Sequence, residues 1–295
     1  MLRDWIRPYK GTLPYRCARR LYLAALHLFS PFGYIRNDLL FPIAGFLRVH
    51  HIPGFFGPYS FIEALKNRHA GKRCFILATG PSLRLEDVEA LRGEITIGVN
   101  RIYNLYPKST FRPTYYMALD PDVYKNMEED HITDYPGLAQ REVFFNSIVS
   151  RRIPGVCYLP LSYQNHWFRA YEPGFPHEKN LKFSDDLLFG LYDKYTVTVS
   201  AIETAIYMGC TEIYLLGTDC NYSGPDPYFF SKDAKAAENF PLDDLQKAMA
   251  QKSMMVGYRF MEQESRKRGV RIFNATRGGM LEEFERVDFD EIIKS

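Results

Sequence analysis

Short runs of consecutive apolar residues, each followed by a stretch of helical periodicity, recur from Cys74 to the end of the chain. They limit the fold more than any other feature. The runs are CFILA (Cys74–Ala78), EITIGVN (Glu94–Asn100), TYYMALDPD (Thr114–Asp122), EVFFN (Glu142–Asn146), GVCYLPL (Gly155–Leu161), TEIYLLGTD (Thr211–Asp219) and VRIFNAT (Val270–Thr276). A strand that faces water alternates apolar with polar residues. An unbroken apolar run needs cover on both faces, which a parallel sheet between helices provides. Helical patterns lie between the runs, over Leu83–Gly93, in Thr196–Cys210 and from about Leu242 to Arg268. Ser200 and Glu203 have capping-box spacing, and Gly209 suits the left-handed residue after a helix. Asp243 and Asp244 near the start of the last helix, and Arg266, Lys267 and Arg268 near its end, match the helix dipole.

The expected fold is α/β and Rossmann-like, a mostly parallel sheet with helices on both faces, plus a basic helical N-terminal extension. Residues 1–60 form that extension, ending in the Gly/Pro-rich His50–Ser60, and residues 61–295 form the main α/β domain. The polar and aromatic stretch His166–Tyr195 reads as a partly mobile flap, and Asn221–Pro241 as loop.

Hydrophobic content of 46% and charged content of 24% permit an ordinary core. The five cysteines lack CxxC or His-rich spacing, so they read as reduced, buried thiols in a cytoplasmic protein. The net charge of +2 hides an asymmetry: residues 1–75 carry +9 and the other 220 carry −7. Leu21–Phe29 is too short to cross a bilayer or to serve as a signal peptide. Arg16, Arg19 and Arg20 lead into it, with Trp5, Phe29, Phe32 and Tyr34 nearby. Two readings stay open: peripheral contact with the inner face of the cytoplasmic membrane, or packing on the main domain.

Chemistry gathers at the strand ends. In ATGPSL the chain leaves a buried strand at Thr79, turns at Gly80 and Pro81, and reaches Ser82 at the helix start, where backbone N–H groups and hydroxyls can hold a phosphate, ribose or carboxylate. A tight β–α turn capped by Ser82 is the structural alternative. The segment is neither GxGxxG nor a P-loop. Asn100, Asp120, Asp122, Asp219 and Asn274 end other strands, which suggests a shared polar crevice. Asp120 and Asp122 have the spacing of a metal-binding DxD; an Asp-Pro turn with Asp122 capping a helix at Val123–Met127 is the favoured reading. Thr198 and Ser200 precede a helix start and form a second anion-site candidate. Tyr222 and Tyr228 can donate hydrogen bonds to phosphate.

The ordered set ILATGPSL, GVNRIY, MALDP, AIYMGCTEIYLLGTD, Tyr222/Tyr228 and VRIFN resembles the bacterial sialyltransferases of glycosyltransferase family 42. It also resembles the related domain of motility-associated-factor flagellin glycosyltransferases and 6-hydroxymethylpterin diphosphokinase-like proteins. The resemblance implies an inverting transferase that uses a CMP-activated nonulosonic acid and needs no metal or other cofactor. Thr79 stands where that family has a nucleotide-contacting Asn, Asn100 matches another, and Asp120 replaces a third. Tyr222 and Tyr228 match two tyrosines on the donor phosphate, given one residue inserted after Asp219. The family's general base is a His near the start of the last long helix. Here Lys252 and Ser253 occupy that region, and no His follows His177. Lys252 serves as base only if burial lowers its pKa, and otherwise neutralises donor charge. His166, His177 and Asp226 are alternatives.

Three functions follow as expectations. The first is a glycosyltransferase acting on a glycan or lipid-linked acceptor in surface glycan, lipopolysaccharide or capsule synthesis. The second is a Mg- or Mn-dependent pyrophosphokinase-like phosphotransferase. The third is a non-catalytic nucleotide-sugar-binding scaffold. No nucleic-acid partner is expected, and a homo-oligomer is the default assembly.

Overall fold

In a computed structural model of the chain, residues 35–119, 123, 142–146, 156–162, 176, 178–221 and 244–294 are described. Each apolar run forms a strand: β1 (Arg73–Leu77), β2 (Ile95–Val99), β3 (Tyr115–Ala118), β4 (Glu142–Asn146), β5 (Val156–Leu159), β8 (Glu212–Leu216) and β9 (Arg271–Asn274). With the short β10 (Glu285–Arg286) they build one sheet in the order β10-β9-β8-β1-β2-β3-β4-β5. Every pairing in it is parallel. Two further short strands, β6 (Leu161–Ser162) and β7 (Leu191–Tyr192), pair with each other.

Strand alternation splits the apolar residues between two cores, one on each face. Cys74, Ile76, Ile97, Met117, Ile213, Leu215 and Ile272 face one way. They meet α3 (Val197–Tyr207) through Val199, Ile202 and Ala205, and α4 (Asp244–Lys267) through Tyr258 and Met261. Phe75, Leu77, Tyr116, Tyr214, Leu216 and Phe273 face the other way, towards Val88 of α2 (Leu85–Ala90) and Phe289 of α5 (Phe289–Ile292). On that side Phe75, Tyr214 and Phe273 stack across three neighbouring strands, with centroids 5.1 Å apart at each step. The sheet with helices on both faces is the Rossmann-like α/β fold expected. Of the N-terminal extension, a π-helical turn (Ile35–Leu40) runs into α1 (Phe41–Val49). The Gly/Pro-rich segment after it forms turns and then a 3₁₀ helix over Gly57–Leu65.

Three expectations need correction. α3 begins at Val197, and its N-cap is Thr196, whose hydroxyl accepts from the Thr198 N–H. Ser200 is therefore inside the helix, and Glu203 is fully buried in an ion pair with Lys194 instead of closing a capping box. α2 begins at Leu85 with no side-chain cap, so Ser82 is not a cap. The expected flap is packed where it is described: Leu181, Leu187, Leu188 and Leu191 are core residues, and Ser184 and Lys194 are buried with them. Gly209 does hold the left-handed conformation after the helix, at φ 85°.

Candidate functional site

The chain runs β1 to β5 outward in one direction, then returns to place β8, β9 and β10 on the other side of β1. The strand order thus reverses between β1 and β8. In open parallel sheets the loops leaving two such strands diverge and open a crevice at their carboxyl ends, where ligands bind.

Gly80, in the loop after β1, donates its N–H to the Gly217 carbonyl at 2.8 Å. A Cβ on Gly80 would lie 1.9 Å from Asp219 Oδ2 and 2.4 Å from the Gly217 oxygen, so only glycine permits this approach. Gly217 takes φ 65° in turn. Asp219 Oδ2 accepts from Ser82 Oγ at 2.7 Å and from Ser82 N at 3.4 Å. The two loops are thereby joined by one carboxylate. Burial pushes the Asp219 carboxyl above its ordinary range, opposed by the Ser82 hydrogen bonds and the Arg286 charge. Thr79 and Ser82 are half-buried and Pro81 is exposed, so the turn has an open side.

The neighbouring strand ends add two buried acceptors. Asn100, just after β2, is left-handed at φ 48°, and the Tyr116 hydroxyl holds its backbone carbonyl. Its side-chain Oδ1 is buried with no hydrogen-bond partner, as is the hydroxyl of Thr218, after β8. An unpaired buried polar atom is disfavoured by about 1–3 kcal/mol, so two at the crevice-forming ends of strands mark where donors from a ligand would be welcome. The loop after β9 fixes the loop after β8: Thr276 Oγ1 accepts from Thr218 N at 3.1 Å, and Met280 N donates to the Asp219 carbonyl at 2.7 Å.

The structure therefore brings Thr79, Gly80, Pro81, Ser82 and Asp219 together, with Asn100 on the adjoining strand end. It does not bring Asn274 into the crevice. That side chain is wholly buried, donates to the Leu281 carbonyl and accepts from Thr276 N, so it builds the turn after β9. Thr198 and Ser200 are also buried, at 4% and 1% exposure, and so offer no open anion site. Lys252 is exposed on α4, so the burial its use as a base required is missing. Beside it Ser253 is buried, with its hydroxyl on the Met249 carbonyl. Asp120, Asp122, His166, His177, Tyr222, Asp226 and Tyr228 lie outside the described residues. Cys74, Cys210 and Cys220 are free and buried. Burial pushes the Cys220 thiol up to about 12, which leaves it protonated and no nucleophile at neutral pH. Sequence reasoning missed Gly217, Thr218 and the loop Thr276–Met280; the first two adjoin Asp219 in the GTD motif, and that adjacency was the available signal.

The family model described as 6-hydroxymethylpterin diphosphokinase MptE-like matches residues 51–225, more than half of the chain. No curated protein matches. Among solved structures, one similar chain is the MAf glycosyltransferase from Magnetospirillum magneticum AMB-1, with TM-score 0.48 and 16% identity over 79% of this chain. This chain spans 38% of that protein's length. Another is the sialyltransferase CstII from Campylobacter jejuni in complex with a substrate analogue, cytidine-5'-monophosphate. Its TM-score is 0.38 and its identity 16%, over 74% of this chain and 85% of that one.

Proposed function

We propose, on the premise that the chain belongs to the 6-hydroxymethylpterin diphosphokinase MptE-like family, that it is a nucleotide-dependent transferase and that the group it transfers is a sugar. The observation that carries this reading is the crevice between β1 and β8. An open glycine turn faces a carboxylate there, and unpartnered acceptors on Asn100 and Thr218 sit at the neighbouring strand ends. Such a site suits the ribose and phosphate of a nucleotide donor. The ordered motif set supports a CMP-linked nonulosonic acid as that donor, and a surface glycan, lipopolysaccharide or capsule precursor as acceptor.

In this reading Thr79, Gly80, Pro81, Ser82 and Asn100 hold the nucleotide. The acceptor hydroxyl attacks the anomeric carbon from the face opposite the phosphate, the bond from that carbon to the phosphate oxygen breaks, and configuration inverts. CMP leaves with the bonding electrons. Tyr222 and Tyr228 donate hydrogen bonds to the departing phosphate, whose charge grows in the transition state. A base, with His177 the first residue to test, takes the acceptor proton. Lys252, exposed at the surface, is assigned to donor charge.

The family's own description favours a second reading, phosphoryl transfer from a nucleoside triphosphate. That chemistry calls for Mg²⁺ or Mn²⁺. Among the described residues no group of three His, Cys, Asp or Glu side chains is placed to hold a metal. On this reading Asp120 and Asp122 are the metal carboxylates, with Asp219, which also accepts from Ser82, as a third candidate.

A thermal-shift panel of CMP, CDP, UDP, GDP, ATP and GTP, each with Mg²⁺ and with EDTA, separates the two. A nucleotide at about 100 times its Kd stabilises the fold by about 2.7 kcal/mol. Glycosyl transfer expects CMP or CDP to act, unchanged by EDTA. Stabilisation by ATP or GTP alone, abolished by EDTA, would overturn it in favour of the phosphotransferase.

A further inference from the structure

The helix at the start of the described chain is apolar on its outer face. Among the described residues, nine large apolar side chains are exposed, and seven of them lie between residues 35 and 55: Ile35, Leu39, Leu40, Ile43, Phe46, Ile52 and Phe55. Their exposure is between 40% and 58%. Ile35, Leu39, Ile43 and Phe46 follow helical spacing and form one stripe. The side turned to the protein carries Phe41, Gly45 and Val49 together with two polar residues. Asn37 and Arg48 are buried. Arg48 donates to the carbonyls of Leu188 at 2.8 Å and Phe189 at 2.6 Å, and Ser162 Oγ donates to Asn37 Oδ1 at 3.4 Å. Phe41 packs edge-on against Phe189 and Tyr192. The helix is thus held in place by Asn37 and Arg48 together with Phe41 and Val49, and a further apolar stripe faces outward. A soluble amphipathic helix keeps its outer face polar, and contiguous exposed apolar surface marks a site of contact.

We propose that this stripe is a docking surface for an anionic lipid bilayer, with the helix lying in the interface. Charge selects the occupant. The stripe belongs to residues 1–75, which carry a net +9 against −7 for the rest of the chain. Six Lys/Arg and one Asp fall in residues 1–34, directly before the stripe. An apolar stripe within a cationic segment is the signature of an interfacial helix on acidic headgroups. A second copy docking by two-fold symmetry would bring two such basic segments together. Among the described residues no helix is long and apolar enough to cross a membrane.

The test is co-sedimentation of the full chain with vesicles of phosphatidylcholine alone and with about 30% phosphatidylglycerol. The wild type and the triple variant Leu39→Ser, Ile43→Ser, Phe46→Ser are compared, with melting temperature and solution mass measured for both. The wild type is expected to pellet with the anionic vesicles and less so in about 0.5 M NaCl. The triple variant, folded and with unchanged mass, should bind roughly tenfold or more weakly. Wild-type protein that stays in the supernatant with anionic vesicles would overturn the proposal, as would a variant that binds equally well. A variant whose mass falls by half would assign the stripe to a second copy, and one whose melting temperature drops sharply would assign it to the chain's own residues; either overturns it. None of these outcomes depends on the nucleotide site.

Discussion

Replacing Asp219 with asparagine separates a hydrogen bond from a charge. The amide oxygen still accepts from Ser82, whereas the buried negative charge is gone. Burial holds the Asp219 carboxyl above its ordinary range, so the folded state binds its proton more tightly than the unfolded state does. Stability tied to this group is therefore full at low pH and declines as pH rises through the raised value. Asp219→Asn carries no such dependence. Its melting temperature relative to wild type should increase between pH 4 and pH 7, read by calorimetry at both values; a difference that is flat or falls with pH contradicts the assignment. At this scale the site was only partly legible. Thr79–Ser82 and Asp219 stood out because glycine, hydroxyl and carboxylate follow buried strands. Asn274 stood out for the same reason and proved to be a turn residue, because a strand-end amide looks the same whether it meets a ligand or the next carbonyl.

At the scale of elements, the strands were readable because burial on both faces leaves an unbroken apolar run that few other structures tolerate. Helix starts were less so. Ser200 and Glu203 have the spacing of a cap, yet Glu203 is drawn inside by Lys194, Nζ of which also donates to the Tyr192 carbonyl at 2.9 Å. The other Glu203 oxygen accepts from Ser184 N at 2.6 Å. This buried pair ties α3 to the segment before it, and a long-range partner of that kind has no signature in local spacing. Lys194→Met should leave Glu203 buried and unpaired, destabilising the protein by about 3–5 kcal/mol in urea denaturation. Adding Glu203→Gln removes the stranded charge and keeps an acceptor for Ser184, so the double variant should recover most of that loss. A double variant no more stable than Lys194→Met would show that packing, and not charge, holds α3. α1 has the same lesson: periodicity reveals that a helix has two faces and not what each of them meets.

At the scale of the whole molecule, function depends on the reversal of strand order between β1 and β8, two strands separated by nearly half of the chain. The seven longer strands can be found in the sequence, but their order depends on the crossover connections and so is invisible to any local pattern. The reversal places the Gly80 turn against Asp219 and leaves Asn100 and Thr218 with unpartnered oxygens at the adjoining strand ends. The central claim is that a nucleotide occupies this crevice. Hydrogen exchange with mass spectrometry, run with and without the nucleotide that gives the largest thermal shift, tests it most directly. Protection is expected together in residues 78–83, 99–101 and 217–220. No nucleotide binding at all, or protection confined to other parts of the chain, would contradict it.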